Sequence, residues 1–495
     1  MPAPASAGRR AAAALAACAA AAVVGLYART SLEAGRRPFY QNEYRDMGLN
    51  IRAHGLMKDV SGPGPSARRM PLYPVLVGLV SAPGDRGRPL FWAQFLLGLL
   101  SLALVFEAAR ALGGPAAGAL AAAAAGFDPR VRAACGEIGV ECLFSFTVLA
   151  ALCALVAWAA RPTRRSAVLA GLALGACLLC RSTLLLVPPA LAAAVFLARD
   201  LAGLRRTVRL LALCAALPLV PWAARNAVLL KGFVPFENYT AAPNVYAASV
   251  GGVDLPDPWA AVDDAQRSSG RDLRALSDLE RGRALDRLAL ANVRSRPVRY
   301  AASTLLRLGA FWGWQGLLFI PILVWLLRRA GPAPAVAAAF VACFSAHALL
   351  ALDAAGGSRY LVPALPALYA VAAAAVAGLA ARAAPGPAPS RALGAAGAVL
   401  LLLAAGAAAV SAKETWTYGL RGVPAPAEDA QLADLEAESG FFPNEAKLDN
   451  DAGVVLLVLG RDERAEERLE RAARLDPGSA EAAANLAQAR RRLRR

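Results

Sequence analysis

Three acidic residues in this sequence stand where a carboxylate could act on a hydroxyl group. Glu43 and Asp46 lie three positions apart, so a helix that begins early enough places both on one face. Glu141 opens a long apolar run, where an acid either caps a helix or faces a cavity; Glu137 is the alternative acid there. A positioned carboxylate removes a proton from an attacking hydroxyl group. These acids are therefore the candidate catalytic residues.

Three arginines lie beside the ends of apolar runs, namely Arg181, Arg225 and Arg359. An arginine fork can hold two phosphate oxygens at once, and an arginine at membrane depth commonly has a partner or lines a pathway. We therefore expect these three to bind an anionic group such as a lipid phosphate, with Arg69 as a further candidate. Snorkelling of the side chain towards lipid headgroups is the competing explanation, above all for Arg225.

The elements that must position these residues are membrane helices. Of 495 residues, 57% are hydrophobic, and the mean hydropathy is +0.44. The net charge is +17, but most Lys and Arg lie in short clusters between apolar runs, which is typical of membrane topology rather than of nucleic-acid binding. Only 2 His are present, which excludes a His-rich metal site. The Ala, Gly, Arg and Pro bias suggests a bacterial protein, which the apolar runs place in the inner membrane.

The apolar runs predict an all-α, polytopic fold with about eleven spans, since a span needs about 20 residues. The first run could be a cleaved signal peptide, but we favour a retained helix, because the following segments are also membrane helices. The predicted spans are 11–28, 90–111, 113–127, 141–160, 166–180, 182–199, 207–224, 308–327, 333–352, 360–380 and 392–411.

The segment 70–82 decides the orientation, because counting it as a span inverts every later loop. It is short and holds two prolines. If it does not cross, the short basic loops, such as the one with Arg161, Arg164 and Arg165, face the cytoplasm, as the positive-inside rule favours. We therefore predict an interfacial or re-entrant helix. The predicted extracytoplasmic pieces are 29–89, 128–140, 225–305, the turn Asp353–Arg359 and the chain from about 412.

The C-terminal residues 441–495 change to a charged helical pattern after a linker at 412–440. Asp451 begins a motif that restarts at Asn485, 34 residues later, which is the tetratricopeptide period. Pro477 separates two helices of this pattern. We predict one tetratricopeptide-like repeat plus a following helix, which either docks a protein partner or packs as a helical cap.

An ordered series of short motifs gives residues 11–411 a family resemblance. An acid-and-tyrosine stretch around Tyr44 is followed by Arg69 and Pro-Leu-Tyr73-Pro, and the later motifs keep the same order. They are Asp128-Pro129, Glu141-Cys-Leu-Phe144, Cys180-Arg181-Ser182, Pro221-Trp222-Ala-Ala-Arg225-Asn226 and Arg359-Tyr360-Leu-Val-Pro363-Ala-Leu-Pro366. This order resembles the GT-C glycosyltransferases, above all the polyprenyl-phosphate-sugar-dependent branch with protein mannosyltransferases and aminoarabinose transferases.

The resemblance implies that a lipid-phosphate sugar binds from the outer leaflet and that a carboxylate of the first outer loop is the general base. In that branch an acid typically lies four residues before the loop tyrosine. If that tyrosine is Tyr44, the matching position is Tyr40, so the base is Asp46 or, second, Glu43. The motifs add Tyr73 and Tyr360 to the substrate-binding candidates. The sequence requires no metal, although a divalent cation is compatible with this chemistry.

Two other functions are compatible with the same sequence. An O-antigen ligase or polymerase can also carry a tetratricopeptide tail, but that class needs an outer histidine, and His347 lies inside a predicted span. A membrane scaffold with a docking tail would not need Asp46, Glu43 or Glu141.

Overall fold

The computed structural model describes most of the chain between positions 43 and 494. These residues fall into two compact units, one that ends at 383 and one that begins at 432. The described residues are 43–55, 57, 67–81, 88–136, 139–197, 199–237, 241–252, 258–276, 278–328, 331–351, 359–383, 432, 435–436, 439, 444 and 446–494.

The predicted all-α fold is confirmed, since the described part of the chain contains helices and no strand. The helices of the first unit are α1 (Glu43–His54), α2 (Leu72–Val80), α3 (Arg88–Gly113), α4 (Pro115–Phe127), α5 (Pro129–Gly136), α6 (Val140–Ala160), α7 (Arg164–Cys180), α8 (Val187–Leu197), α9 (Arg205–Ala216), α10 (Leu219–Leu229), α11 (Ala241–Ser249), α12 (Pro258–Ser269), α13 (Asp278–Ser295), α14 (Pro297–Trp312), α15 (Phe319–Leu327), α16 (Pro332–Ala342) and α17 (Ala364–Ala383). Short 3₁₀ turns cover Ser182–Leu184, Arg199–Leu204, Gly313–Leu318 and Cys343–Leu349.

Two helices form the centre of the first unit. In α6 and α17, 72% of the most apolar stretch is buried, against 39% in α3. Both central helices are rich in small and aliphatic residues, so neighbours pack against them on several sides. The Trp158 Nε1–H donates to Thr207 Oγ1 at 2.9 Å, which fixes α6 against α9 and satisfies a buried polar group. The residues at the start of α6 therefore stand on a rigid element.

Glycines bring α7 and α9 into backbone contact. A methyl group on Gly171 would collide with the Leu211 carbonyl oxygen, and one on Gly175 would lie 2.6 Å from the Ala215 carbonyl oxygen. The spacing of four residues puts both glycines on one helix face, as in small-residue interfaces of membrane helices. This close packing holds the end of α7, where Arg181 follows.

The helix lengths separate spans from shorter elements. In the described residues, five helical stretches have the length and hydropathy of a membrane span, and the pair α9–α10, bent by 41°, makes a sixth if counted as one. The bend replaces the single predicted span 207–224 because Pro218 cannot continue the hydrogen-bond ladder. Two predicted spans, 11–28 and 392–411, lie outside the described residues, so the total of eleven stays a prediction.

The segment 70–82 contains α2, which has only nine residues. Nine residues rise about 13 Å, far less than the roughly 30 Å of a bilayer core. This helix packs instead on α1, where Gly48 approaches Val77 and Gly78 closely. The segment is a short helix that cannot cross the membrane by itself.

The loop 225–305 folds into a small helical layer of its own. Helices α11, α12 and α13 share an apolar core that includes Tyr246, Val262 and Leu285. Helix α14 begins at Pro297, eleven residues before the predicted start at 308. Arg307 interrupts the apolar run in sequence. Its buried guanidinium donates hydrogen bonds to the Gly252 and Ala348 carbonyls, so the helix can continue through this position.

The second unit contains α18 (Ala446–Val458), α19 (Asp462–Leu475) and α20 (Ala480–Leu493). The first two form a hairpin around Leu456 and Leu469, and Gly453 lets them approach closely. Asn485 donates to Asn450 Oδ1 at 3.0 Å, which joins α20 to the hairpin. The helical pattern predicted for 441–495 is present; its assignment as a tetratricopeptide repeat stays a prediction.

Candidate active site

Glu141 lies in the first turn of α6 and is buried, with 7% of its surface exposed. Its Oε1 atom lies 3.2 Å from Nη1 of Arg181 and 3.2 Å from Nε of Arg359. The positive end of the α6 dipole adds to this stabilisation of the carboxylate. The structure therefore brings together one predicted acid and two predicted phosphate ligands. One negative charge faces two positive charges, which leaves the cluster attractive to an anion.

Arg181 follows directly on the last residue of α7 in an extended conformation. Its guanidinium lies 4.1 Å from the centroid of the Tyr360 ring, in a cation–π arrangement. The Arg359 guanidinium lies 5.8 Å from the same ring. The arginines differ in access, because 7% of the Arg181 side chain and 55% of the Arg359 side chain are exposed. Arg181 is thus a fixed part of the site, whereas Arg359 can move towards a ligand.

Aromatic rings pack against Tyr360. The His347 ring lies 5.3 Å from the Tyr360 ring and stacks on Phe311 at 4.9 Å. The His347 Nδ1 atom is 2.9 Å from the Phe344 carbonyl oxygen, which fixes the imidazole. Packing of this kind leaves Tyr360 little freedom. The Tyr360 ring, which contacts the Arg181 guanidinium, is therefore held in place before any ligand binds.

A second pair of aromatic residues comes from α1 and α2. The rings of Tyr44 in α1 and Tyr73 in α2 meet edge to face at 5.1 Å, and the Arg69 guanidinium lies 5.5 Å from the Tyr44 centroid. Tyr73 donates to Gln94 Oε1 at 2.6 Å. Burial raises the pKa of Tyr44 to about 12, although Arg69 and Arg181 act in the opposite direction. Tyr44 is therefore a hydrogen-bond donor near neutral pH and not a base.

Glu237 is a carboxylate that sequence reasoning missed. Ser182, directly after Arg181, donates to its Oε1 atom at 2.8 Å. The charges of Glu237, Glu141 and Arg181 all influence Tyr44, which places the four groups in one electrostatic environment. Among the described residues, Glu237 forms no ion pair. The only sequence signal was a lone acid in the loop after Arg225 and Asn226.

A comparison with family models matches part of this chain. Residues 68–224 match the model of the dolichyl-phosphate-mannose–protein mannosyltransferases. The matched segment covers about a third of the chain and contains Arg69, Tyr73, Glu141 and Arg181. No curated protein sequence matches the chain.

Solved structures match over a greater length. The Archaeoglobus fulgidus oligosaccharyltransferase tethered to an acceptor peptide with the NVT sequon is 14% identical, with a TM-score of 0.51, covering 85% of this chain and 57% of that one. The oligosaccharyltransferase AglB of the same organism, in complex with an inhibitory peptide and a dolichol-phosphate, is also 14% identical, with a TM-score of 0.50 and coverage of 85% and 58%. This chain has the GT-C glycosyltransferase fold. It spans less than two thirds of the length of these oligosaccharyltransferases.

ArnT from Cupriavidus metallidurans bound to undecaprenyl phosphate is a further match, at 18% identity and a TM-score of 0.38, covering 73% of this chain and 78% of that one. The matches to the two oligosaccharyltransferase structures, at TM-scores of 0.51 and 0.50, confirm the resemblance drawn from the motif order at the level of the fold. With its apolar helices, the chain is a multi-pass membrane protein.

Within this GT-C fold, Glu43 and Asp46 occupy the first turn of α1, the helix that also carries Tyr44. Their side chains lie outside the described part of the structure, as does Glu137. Tyr44 lies in the electrostatic environment of Glu141 and Arg181, so α1 passes near this cluster. Which acid is the base stays a prediction.

Arg225 lies apart from the Glu141 cluster in its contacts. Its guanidinium donates to the Met57 carbonyl at 2.8 Å and to Asn226 Oδ1 at 2.7 Å, and it packs over Trp222 at 5.0 Å. These contacts tie the segment after α1 to α10. The predicted phosphate-binding role of Arg225 stays untested, and its described contacts are those of a structural clamp.

A second buried polar cluster lies where α4 meets α5. Asp128 forms an ion pair with Arg130 at 2.8 Å and accepts from the Tyr369 hydroxyl at 2.7 Å. The Arg130 guanidinium also reaches the Gln315 amide oxygen at 2.7 Å, in the amide orientation that satisfies both of its atoms. The cluster therefore joins α5, α17 and the turn after α14.

The described cysteines and acids form no metal cluster. No group of three His, Cys, Asp or Glu side chains converges within the described ranges. The thiols of Cys135 and Cys142 lie 3.4 Å apart, and both are free and buried. Cys177 and Cys180 are buried in the hydrophobic core of the first unit.

Proposed function

We propose that this protein is a membrane glycosyltransferase that moves a sugar from a polyprenyl-phosphate donor to an acceptor hydroxyl on the extracytoplasmic face. The observation that carries the proposal is the convergence of Arg181 and Arg359 on Glu141, with Arg181 seated on Tyr360. The GT-C fold and the match of residues 68–224 to a mannosyltransferase model support the same reaction class.

The arginine pair suits a leaving group that gains negative charge. When the bond between the sugar and the phosphate breaks, the lipid phosphate takes the electron pair, and cations fixed beforehand lower the energy of that state. Glu141 carries one negative charge and the two arginines carry two positive charges. The carboxylate therefore stabilises the buried Arg181, and the exposed Arg359 remains able to bind an anion. The site thus combines a fixed and a movable phosphate ligand.

An apolar cleft of the first unit suits the prenyl chain of the donor. It has a volume of about 290 Å³ and lies between α6, α8 and α16, with Leu155, Val187, Leu191, Phe340 and Cys343 in its walls. Val187 begins α8, six residues after Arg181, and Cys343 lies one helical turn before His347, which supports Tyr360. Leu155 lies about 21 Å from Glu141 along α6, so we propose that the prenyl chain runs along this helix and ends with its phosphate at Arg181.

The proposed base is a carboxylate of the first turn of α1, Asp46 first and Glu43 second. It accepts the proton of the acceptor hydroxyl while the acceptor oxygen bonds to the anomeric carbon and the phosphate departs. Glu141 is unsuited to this task, because two arginines already hold its charge. We assign Glu141 the task of positioning Arg181 and Arg359. Arg69, Tyr73 and Tyr360 complete the substrate-binding set, and Arg225 is the more peripheral member.

The test is a profile of lipid-linked sugars in cells that express the wild type, Asp46→Asn or Glu43→Gln. Asp286→Asn, an exposed acid of α13, is the matched control. We expect the wild type and the control to consume a polyprenyl-phosphate sugar, and the base variant to let it accumulate. A wild type that consumes none would exclude the transferase and favour the scaffold. Two variants that both consume the sugar as the wild type does would exclude Asp46 and Glu43 as the base.

The tail 441–495 is proposed as the contact for a protein partner. Its helices bury their own core, and α20 ends in Arg490, Arg491 and Arg492. Arg490 already pairs with Glu466 and Glu470, and Arg492 pairs with Asp462. Among the described residues of this helix end, the exposed Arg491 is therefore the arginine proposed to meet an acidic partner.

A further inference from the structure

The candidate site contains two described carboxylates in different electrostatic situations. Glu141 has both arginines of the cluster on one oxygen atom, so it is already neutralised. Glu237 receives one hydroxyl hydrogen bond from Ser182 and, among the described residues, no cation within ion-pair distance. A carboxylate can accept about four hydrogen bonds, so Glu237 keeps most of its capacity for a ligand.

The place of Glu237 is fixed relative to the phosphate ligand. Ser182 is bonded directly to Arg181 in the chain, and its side chain holds Glu237 Oε1 at 2.8 Å across 55 positions of sequence. Glu237 is half-buried, and its charge acts on both Arg181 and Tyr44. The carboxylate therefore stands beside the place where a phosphate on Arg181 would carry its sugar.

We infer that Glu237 binds the hydroxyl groups of the donor sugar, with Ser182 as its positioning residue. This inference rests on the proposed transferase function. Sugar hydroxyls are hydrogen-bond donors, and two neighbouring hydroxyls can satisfy the two oxygens of one carboxylate. Bonds to an ionised acceptor are stronger than neutral ones, so Glu237 selects donors with hydroxyls next to the anomeric carbon. It accepts hydrogen bonds and takes no proton.

The experiment measures steady-state kinetics of the full chain in lipid nanodiscs. The probes are a polyprenyl-phosphate hexose that the wild type consumes and its 2-deoxy counterpart. Glu237→Gln should raise KM for the hexose about tenfold, the loss expected for hydrogen bonds to a charged group, and leave kcat within about twofold. With the 2-deoxy donor, the KM values of the variant and the wild type should be closer to each other than with the hexose donor.

Two further variants separate a binding role from a structural one. Ser182→Ala should give an intermediate KM, because Glu237 stays charged but loses its fixed position. Asp286→Asn should behave as the wild type. Polyprenyl phosphate without a sugar should bind equally to Glu237→Gln and wild type, which also shows that the variant is folded.

The outcomes distinguish the two claims. An active wild type with an unchanged KM in Glu237→Gln refutes the sugar-binding role and leaves the transferase intact. If Glu237→Gln lowers kcat and removes one limb of the pH dependence of kcat, Glu237 is the base, and the sugar-binding role without proton transfer is refuted. A wild type that consumes no lipid-linked sugar removes the transferase and this inference together.

Discussion

Glu141 and Arg181 are separated by 40 positions in sequence, yet Oε1 and Nη1 lie 3.2 Å apart and both side chains are buried. A buried charge is tolerated in a protein only when a partner offsets the loss of hydration. Each charge of this pair therefore stabilises the other in its buried position. The pair fixes the start of α6 to the end of α7 at the place where the phosphate is proposed to bind.

Glu141→Gln should lower the free energy of unfolding by about 3 kcal/mol, because it leaves Arg181 buried beside a neutral group. Arg359→Gln should cost less than about 1 kcal/mol, since more than half of that side chain is exposed to solvent. Thermal unfolding of the purified protein in detergent measures both. The variants remove contacts to the same oxygen atom, so equal losses would show that burial of the arginine is not the deciding factor.

Variants of Arg359 should affect activity more than stability. Arg359→Gln removes the movable phosphate ligand, so its KM for the lipid-linked donor should rise about tenfold while the protein stays folded. Arg359→Lys keeps the charge and should recover part of the loss, but not the two-pronged contact of arginine. If Arg359→Gln has an unchanged KM, Arg359 only neutralises Glu141.

The Asp128 cluster should make the membrane unit sensitive to acid. Burial alone would raise the pKa of Asp128, but the ion pair with Arg130 and the Tyr369 hydrogen bond hold that pKa below its usual 3.8. A carboxyl group with a lowered pKa in the folded state stabilises the fold above its unfolded-state pKa and loses that contribution as pH falls through the lower folded value. The loss therefore falls below about pH 4.

Asp128→Asn should reduce stability by about 2 kcal/mol near neutral pH, because Arg130 loses its ion-pair partner. It should also flatten the dependence of the unfolding temperature on pH below about pH 4. Tyr369→Phe is the control, since it removes one hydrogen bond and keeps the titrating acid. An identical acid slope in Asp128→Asn and wild type would assign the acid sensitivity to another group.

Three residues of the Glu141 cluster could be proposed from sequence, since Glu141, Arg181 and Arg359 each begin or end an apolar run, whereas Tyr360 was implied only by the motif resemblance. Residue type and position at the end of a run were enough, because the ends of membrane helices gather at one surface. Glu237 could not be found this way, since its contact with Ser182 joins a loop to a helix end without a periodic pattern. Arg225 shows the converse, because its position resembles that of Arg181 but its guanidinium bonds to the Met57 carbonyl.

Filling the apolar cleft should discriminate between donors by the length of their prenyl chain. Ala339 lines the cleft, so Ala339→Phe should raise KM several-fold for a long-chain donor and leave a donor with two isoprene units unchanged. Leu213→Phe adds an aromatic ring at a position with 70% exposure on α9 and serves as the control. Equal effects on both donors would mean that the prenyl chain binds elsewhere.

The sidedness of the loops depends on α2, which is too short to cross a bilayer by itself. Gly62→Cys and Glu445→Cys, both outside the described residues, should react with a membrane-impermeant maleimide on intact spheroplasts. Pro162→Cys, in an exposed basic loop, should react only after permeabilisation. The parent chain gives the background, because its described native cysteines are buried or half-buried.

Opposite labelling of positions 62 and 445 would show that the segment 70–82 crosses the membrane with help from its neighbours. An odd number of crossings would then separate α1 from Glu141, and Tyr44 could not face the cluster that its electrostatic partners Arg181 and Glu141 form. The close contact between α1 and α2 at Gly48 and Val77 shows that the two helices pack against each other. Labelling of both positions from outside therefore supports the extracytoplasmic site directly.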